Sequence, residues 1–227
     1  MGSAVVTGAG SGIGRAIAVG FARRGFDVSL WGRTESSLRE TAAAVARAGV
    51  RASVVSVDVA DETQVRRATD TALAGFGAPS VVVNNAGVAG RKLPIEDTDE
   101  ANWDAVMSVN LKGVFLVTRA CLRPMRERGS GRFVTVASIS ATLGSPGLAA
   151  YCASKWGAVG FTKSLAEELR GSGLQAFSVL PGSVDTAMAK VGGFEPRMSP
   201  EDVAGVVLFA ALDAPDAMNG AAIECFG

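Results

Sequence analysis

Tyr151 and Lys155 stand four residues apart in a stretch with helical spacing, so their side chains share one face. An ammonium beside a phenol favours the phenolate, and the pair is expected to draw a reference pKa of about 10 down toward the working range. That makes Tyr151 a usable acid or base. Ser138, at the end of a β-branched run, offers a hydroxyl that could hold a carbonyl or alcohol oxygen. Tyr151 is the single tyrosine of the chain, and histidine is absent. Without imidazole, Ser-His-Asp and Cys-His nucleophilic mechanisms drop out along with the commonest transition-metal ligand, so no metal site is expected. Taken singly, Tyr151 could be a packed aromatic, Lys155 a solvated helix residue and Ser138 a turn residue. The acid–base reading rests on their convergence with a phosphate-binding loop. Asn110, inside the apolar run Val106-Met107-Ser108-Val109-Asn110-Leu111, must be hydrogen-bonded if buried or else lie exposed on a helix.

The loop in question is Thr7-Gly8-Ala9-Gly10-Ser11-Gly12-Ile13-Gly14, between the first strand and the first helix. Backbone NH groups and the helix dipole there can hold a pyrophosphate. The spacing is G-x-x-x-G-x-G through Gly8, Gly12 and Gly14, with Ile13 where the commoner G-x-G-x-x-G places its third glycine. About 20 residues further on, an acidic side chain would take the ribose hydroxyls of NAD. Trp31-Gly32-Arg33 stands there instead. Arg33 could pair with the extra phosphate of NADP, which makes NADP(H) the preferred cofactor with NAD(H) possible; a solvated arginine is the competing account. Ser11 supplies no second cation. Asp58 could accept a hydrogen bond from an adenine amino group or serve as a turn residue. Asn84-Asn85-Ala86-Gly87 and Pro181-Gly182-Ser183-Val184-Asp185-Thr186 follow the fourth and sixth strands, at the carboxyl ends where ligands gather in open α/β sheets.

The elements that must position these groups alternate: short β-branched runs near 4–6, 28–31, 52–57, 80–83, 133–137, 175–180 and 221–225, separated by longer helical patterns. Repeated βα units predict one doubly wound parallel sheet of seven strands. Ile13, Ala16, Ile17, Gly20 and Phe21 give the first helix a sheet-packing face. Asp61 with Gln64 suggests a capping box, and Ser199 before Pro200-Glu201-Asp202 suggests a second helix start. No linker or repeat interrupts the alternation, so residues 1–227 are expected to form a single dinucleotide-binding and catalytic domain.

Composition agrees. The chain is 48% hydrophobic and 19% charged, with 22 basic and 22 acidic residues and no long basic run, which argues for a compact globule and against a nucleic-acid partner. The longest apolar stretch near the end, residues 206–212, falls short of the roughly 18 residues of a membrane span. The opening residues fit neither a signal peptide nor a myristoylation site. Three widely spaced cysteines, with no CxxC pair, suit a reducing compartment, and a cytoplasmic location is expected.

Thr7-Gly8-x-x-x-Gly12-Ile13-Gly14, Asn84-Asn85-Ala86-Gly87, Asn110, Ser138, Tyr151-x-x-x-Lys155 and Pro181-Gly182 together resemble the ordered motifs of the short-chain dehydrogenases/reductases, most like the 3-oxoacyl-thioester reductases, over nearly the whole chain. The resemblance implies a Rossmann-type sheet of order 3-2-1-4-5-6-7 and a tetrad of Asn110, Ser138, Tyr151 and Lys155. Tyr151 would exchange the proton, Ser138 orient the substrate oxygen, Lys155 hold the nicotinamide ribose and Asn110 position a relay water. By the same resemblance Asp58, with Val59 beside it, meets adenine; Asn85 lies near the adenine-side ribose, with Ala86 and Gly87 after it also on the cofactor; and Val184 with Thr186 meets the nicotinamide half. It implies a small-molecule or carrier-bound carbonyl substrate and a homo-oligomer, tetramer or dimer, built through the helices after the fourth and fifth strands.

One departure is that the segment from Pro181 to Ser199 leaves little room for the small helices that often cover the substrate in relatives, and Gly192-Gly193 would add mobility. A longer segment over 88–100 could let Arg91 reach the substrate entrance. The rival readings are an NAD-dependent polyol, sugar or steroid alcohol dehydrogenase and a non-catalytic nucleotide-binding regulator.

Overall fold

The computed structural model describes residues 2–192 and 195–227. Seven strands, β1 (Ser3–Thr7), β2 (Asp27–Gly32), β3 (Ala52–Ser56), β4 (Val81–Asn84), β5 (Gly131–Val136), β6 (Leu174–Pro181) and β7 (Ala222–Cys225), form one parallel sheet in the order 3-2-1-4-5-6-7. In β1, Val5 lies opposite Ser29 of β2 and Val82 of β4, so the strand order reverses at β1. A reversal opens a crevice beyond the carboxyl ends of the strands it separates.

Period-two alternation sends β1 side chains to two cores. Ala4 and Val6 face one layer with Ile17 and Phe21 of α1 (Gly12–Arg23), Leu38 of α2 (Glu35–Ala46) and Val207 of α8 (Pro200–Leu208). Val5 faces the other, with Val65 of α3 (Glu62–Phe76), Val117 and Met125 of α5 (Gly113–Arg128) and Leu165 of α6 (Ala149–Glu168). Fully buried strands of this kind read as continuous apolar runs, which is why β4 is Val-Val-Val-Asn.

Helix α4 (Glu100–Met107) runs through a π-helical turn (Ser108–Lys112) into α5. The most apolar window of this stretch has mean hydropathy 1.4, enough by length and composition for a membrane span. Its apolar side faces the protein interior instead: Val106, Val114, Leu116, Val117, Cys121 and Met125 are all buried, the last four of them in the core layer on the sheet. The wide turn places Asn110 on that same buried side.

Ser199 caps α8 as expected and goes further by forming a full capping box, accepting from the Asp202 amide while the Asp202 carboxylate accepts from the Ser199 amide. The other box is only half formed. Asp61 caps α3, but Gln64 Oε1 accepts from the Asp58 amide rather than that of Asp61, whose amide already donates to Asp58 O. The segment after β6 also differs from expectation: it does hold a short helix, α7 (Ala187–Gly192), started by the Ala189 amide donating to the carbonyl and hydroxyl of Thr186. Gly193 lies outside the described residues.

Candidate active site

Thr7 ends β1 and ties the site together. Its hydroxyl donates to the Val83 carbonyl and accepts from the amides of Asn85 and Ala86, joining β1 to the loop after β4. Asn85 Nδ2 donates to Thr7 O at 2.9 Å and to Gly8 O at 3.4 Å, so this amide braces the glycine loop. Gly8 and Gly12 adopt φ of +65° and +47°, a region that disfavours other residues. A Cβ on Gly14 would lie 2.1 Å from Gly8 O, so α1 can approach the loop only without a side chain there. Ser11, the N-cap of α1, makes no side-chain capping bond, and the first NH groups of α1 have no partner inside the helix. The loop after β6 closes against them, with Thr186 Cγ2 3.2 Å from where a Gly12 Cβ would be. A cradle of bare backbone at a helix N-terminus fits a pyrophosphate.

A cavity of about 560 Å³ runs from this cradle across the carboxyl ends of β1, β4, β5 and β6. It brings together Gly8, Ser11, Gly12, Ile13, Gly14, Asn85, Ala86 and Gly87 with Ser138, Tyr151, Lys155, Pro181, Gly182, Val184 and Thr186. Arg33, Asp58, Val59 and Asn110 do not line it. Arg33 is exposed at the end of β2 and has no ion-pair partner among the described residues. Beside it, Thr34 caps α2 with extended backbone but no side-chain bond, leaving that hydroxyl available too. Arg15 is committed elsewhere, to Gly10 O, Thr41 Oγ1 and Glu40. Asp58 accepts from the Ala60 amide in a turn, and Val59 is buried under Gly113. Arg91 does not reach the entrance: it pairs with Asp99, and its amide donates to Asn102 Oδ1.

Tyr151 lies in the first turn of α6, half-buried, and Lys155 follows one turn on, buried. Their expected electrostatic relation is not what the structure holds. Lys155 Nζ donates to Val136 O at 3.0 Å and sits 5.7 Å from the centre of the Tyr151 ring. Burial brings its pKa down to about 8. Burial pushes the Tyr151 phenol up, against hydrogen bonding with Ser138, which pulls it down. Desolvation outweighs that hydrogen bond, so the balance for Tyr151 lies toward the neutral phenol.

Asn110, 1% exposed, has every amide position used: Oδ1 accepts from Val88 N, and Nδ2 donates to Val88 O and to Ser154 Oγ. Ser154, fully buried, donates its own hydroxyl hydrogen bond to the backbone carbonyl of Tyr151 at 2.7 Å. One hydroxyl thus links the π-helical turn, the loop after β4 and the turn that carries Tyr151. The sequence reading missed Ser154, and the available signal was its place three residues after Tyr151 on the same helix face. It also missed Thr7 as a brace and the apolar cavity wall formed by Ile139, Leu143, Leu148 and Met188.

The short chain dehydrogenase family model matches residues 3–193. The chain is 36% identical to a 3-oxoacyl-[acyl-carrier-protein] reductase of Synechocystis sp. over 220 residues, 92% of this chain and 89% of that protein. It is 38% identical to a cis-4-hydroxycyclohexanecarboxylate dehydrogenase of Sinomonas cyclohexanicum, covering 99% and 94%. The crystal structure of a 3-ketoacyl-ACP reductase from Sinorhizobium meliloti 1021 superposes with a TM-score of 0.92 at 32% identity, covering 99% of this chain and 97% of that one. With the glycine cradle, the sheet order and the Tyr–Lys turn in one cavity, these similarities show that the chain belongs to the short-chain dehydrogenase/reductase family, oxidoreductases that work with a nicotinamide cofactor.

Proposed function

We propose that this protein reduces a ketone to a secondary alcohol with NADPH, most like a 3-oxoacyl-thioester reductase, on a small or carrier-bound substrate. The observation that carries the reading is the convergence of Ser138, Tyr151 and Lys155 in the same cavity as the glycine cradle. A phenol beside a serine hydroxyl can hand a proton to a carbonyl oxygen held between the two. The nicotinamide cofactor, when bound, supplies the hydride.

The chain's own residues do the rest. Ser138 hydrogen-bonds the substrate oxygen and Tyr151 delivers its proton to it. Lys155, with a pKa of about 8, is charged at neutral pH and would hold the nicotinamide ribose with its ammonium. Asn110 and Ser154 fix the turn that aims Tyr151. Gly8, Ser11, Gly12, Ile13 and Gly14 hold the pyrophosphate on backbone NH groups. Ala86, Gly87, Pro181, Gly182, Val184 and Thr186 line the nicotinamide half, and Asp58 and Val59 flank the adenine. Asn85 acts mainly through the loop it braces. Arg33, without an ion-pair partner among the described residues, favours NADP over NAD.

The whole chain would act as one domain, in the cytoplasm, where free Cys121, Cys152 and Cys225 suit a reducing medium. Exposed Trp103, Phe115 and Trp156 on α4, α5 and α6 suit a homo-oligomer through those helices. The test is NADPH consumption by the purified protein against 3-oxoacyl thioesters, simple ketones and ketoses, with the product alcohol identified. Turnover of a ketone with NADPH, faster than with NADH, is expected; binding of NADPH without reduction of any carbonyl contradicts the reading and favours a regulator.

A further inference from the structure

The chemistry of the cavity wall beyond Tyr151 narrows the substrate. Ile139, Leu143, Leu148 and Met188 supply its large side chains, and Ser140 and Ser145 supply neutral hydroxyls. The Ser138 hydroxyl is partly committed, accepting from the Ser140 amide. The charged group among the described lining residues is Lys155, buried and hydrogen-bonded to Val136 O. A carboxylate or phosphate drawn in beside the reacting carbonyl would lose water and meet no counter-charge on this wall, and a polyhydroxylated chain would lose more hydrogen bonds than two serines return.

The rim carries the second observation. Leu143 is 58% exposed and Met188 41% exposed, on two separate segments, 139–148 after β5 and α7 after β6. Single exposed apolar side chains are ordinary on a protein surface. Here two of them border one concave cavity, where an apolar group could cover both at once and remove them from water.

We propose that the substrate is an uncharged ketone bearing an apolar chain that lies between Leu143 and Met188, and that these two side chains set its chain-length preference. The inference rests on the reductase reading above. It also accounts for α7 on this chain: a helix of Ala187, Met188 and Ala189 presents an apolar edge to the cavity.

The experiment compares kcat/KM with NADPH for methyl ketones of increasing length, from butanone upward, against levulinate as a short anionic ketone and erythrulose as a polyhydroxy ketone. Each added methylene that becomes buried should raise kcat/KM by up to about fourfold, until the chain outgrows the groove. Levulinate and erythrulose should fall about tenfold or more below the apolar ketone of similar length. Leu143→Ser and Met188→Ser should each flatten the chain-length slope, with thermal melts confirming that the variants fold. If a variant does not fold, the slope of the unaltered protein still decides. Consumption of NADPH with a flat or falling slope, or with levulinate or erythrulose ahead, overturns this inference and leaves the reductase reading standing. No reduction of any carbonyl overturns both.

Discussion

The two halves of the cavity are held in different ways. Around the cofactor cradle, Thr7, Asn85 and Gly14 are fixed by contacts between segments far apart in sequence, from β1 to the loop after β4. Around the substrate wall, most bonds are local: Thr142 and Leu143 amides donate to Ile139 O, Leu148 to Ser145 O, and Ala189 to Thr186, with one long-range bond from the Leu93 amide to Gly147 O. One half is a consequence of the sheet, while the other is carried by short turns laid over it. Short turns can change side chains without disturbing the strands, so substrate range can vary on a constant cofactor frame.

Paired glycine substitutions break or sharpen that contrast most strongly. Gly14→Ala drives a Cβ to within 2.1 Å of a backbone oxygen and 2.6 Å of Asn85 Nδ2, whereas Gly144→Ala, in the substrate half, meets nothing within 4 Å. The first should cost about 2 kcal/mol or more and weaken NADPH binding about a hundredfold; the second should stay within about 0.5 kcal/mol. Thermal melts and NADPH fluorescence titrations read both. Equal effects would show that the two halves are not held differently.

Arg33→Asp comes next. Losing a charge-assisted contact and adding a repulsive carboxylate should move cofactor preference toward NADH by about tenfold to a hundredfold, read as the ratio of kcat/KM values for the two cofactors. An unmoved ratio would make Arg33 a solvated surface residue.

Ser154→Ala tests the link between the halves. Asn110 Nδ2 loses one buried acceptor, at a cost of about 1–3 kcal/mol, and the turn carrying Tyr151 loses its tether. The expected result is a lower kcat with NADPH affinity unchanged; a loss confined to NADPH affinity would place Ser154 in the cofactor frame instead.

The smallest effect is on stability against pH. Folding lowers the Lys155 pKa from 10.5 to about 8, so above about pH 8 the unfolded chain binds more protons and stability rises with pH. Cys121 has the opposite sign. Burial raises its thiol from 9.0 to about 12, so above about pH 9 the unfolded chain binds fewer protons there and the rise is offset. Denaturant unfolding of the cofactor-free protein should show stability climbing between about pH 8 and about pH 9 by up to about 1.4 kcal/mol, and Lys155→Met should abolish the climb. A flat profile in the unaltered protein would mean that Lys155 is solvated.

Most of the frame was legible in the residues. Buried parallel strands announce themselves as runs such as Val81-Val82-Val83, and the glycine loop and the Tyr151–Lys155 spacing placed their groups at one edge of the sheet. What escaped depends on where distant segments come to rest. The direction of the Tyr151 shift is set by how completely that site is desolvated, which local spacing does not report. Gln64 turned to the Asp58 amide, that of Asp61 already donating to Asp58 O, and Arg91 found Asp99 across a loop. Ser154 looked like one more small residue on a helix until Asn110 was brought against it.

The most direct measurement is Tyr151→Phe, assayed for ketone reduction and for NADPH affinity on the same preparation. Deleting the phenolic oxygen while keeping the ring should lower kcat roughly a hundredfold to ten-thousandfold, with NADPH bound as tightly as by the unaltered protein. Undiminished turnover would contradict the assignment of the transferred proton to Tyr151.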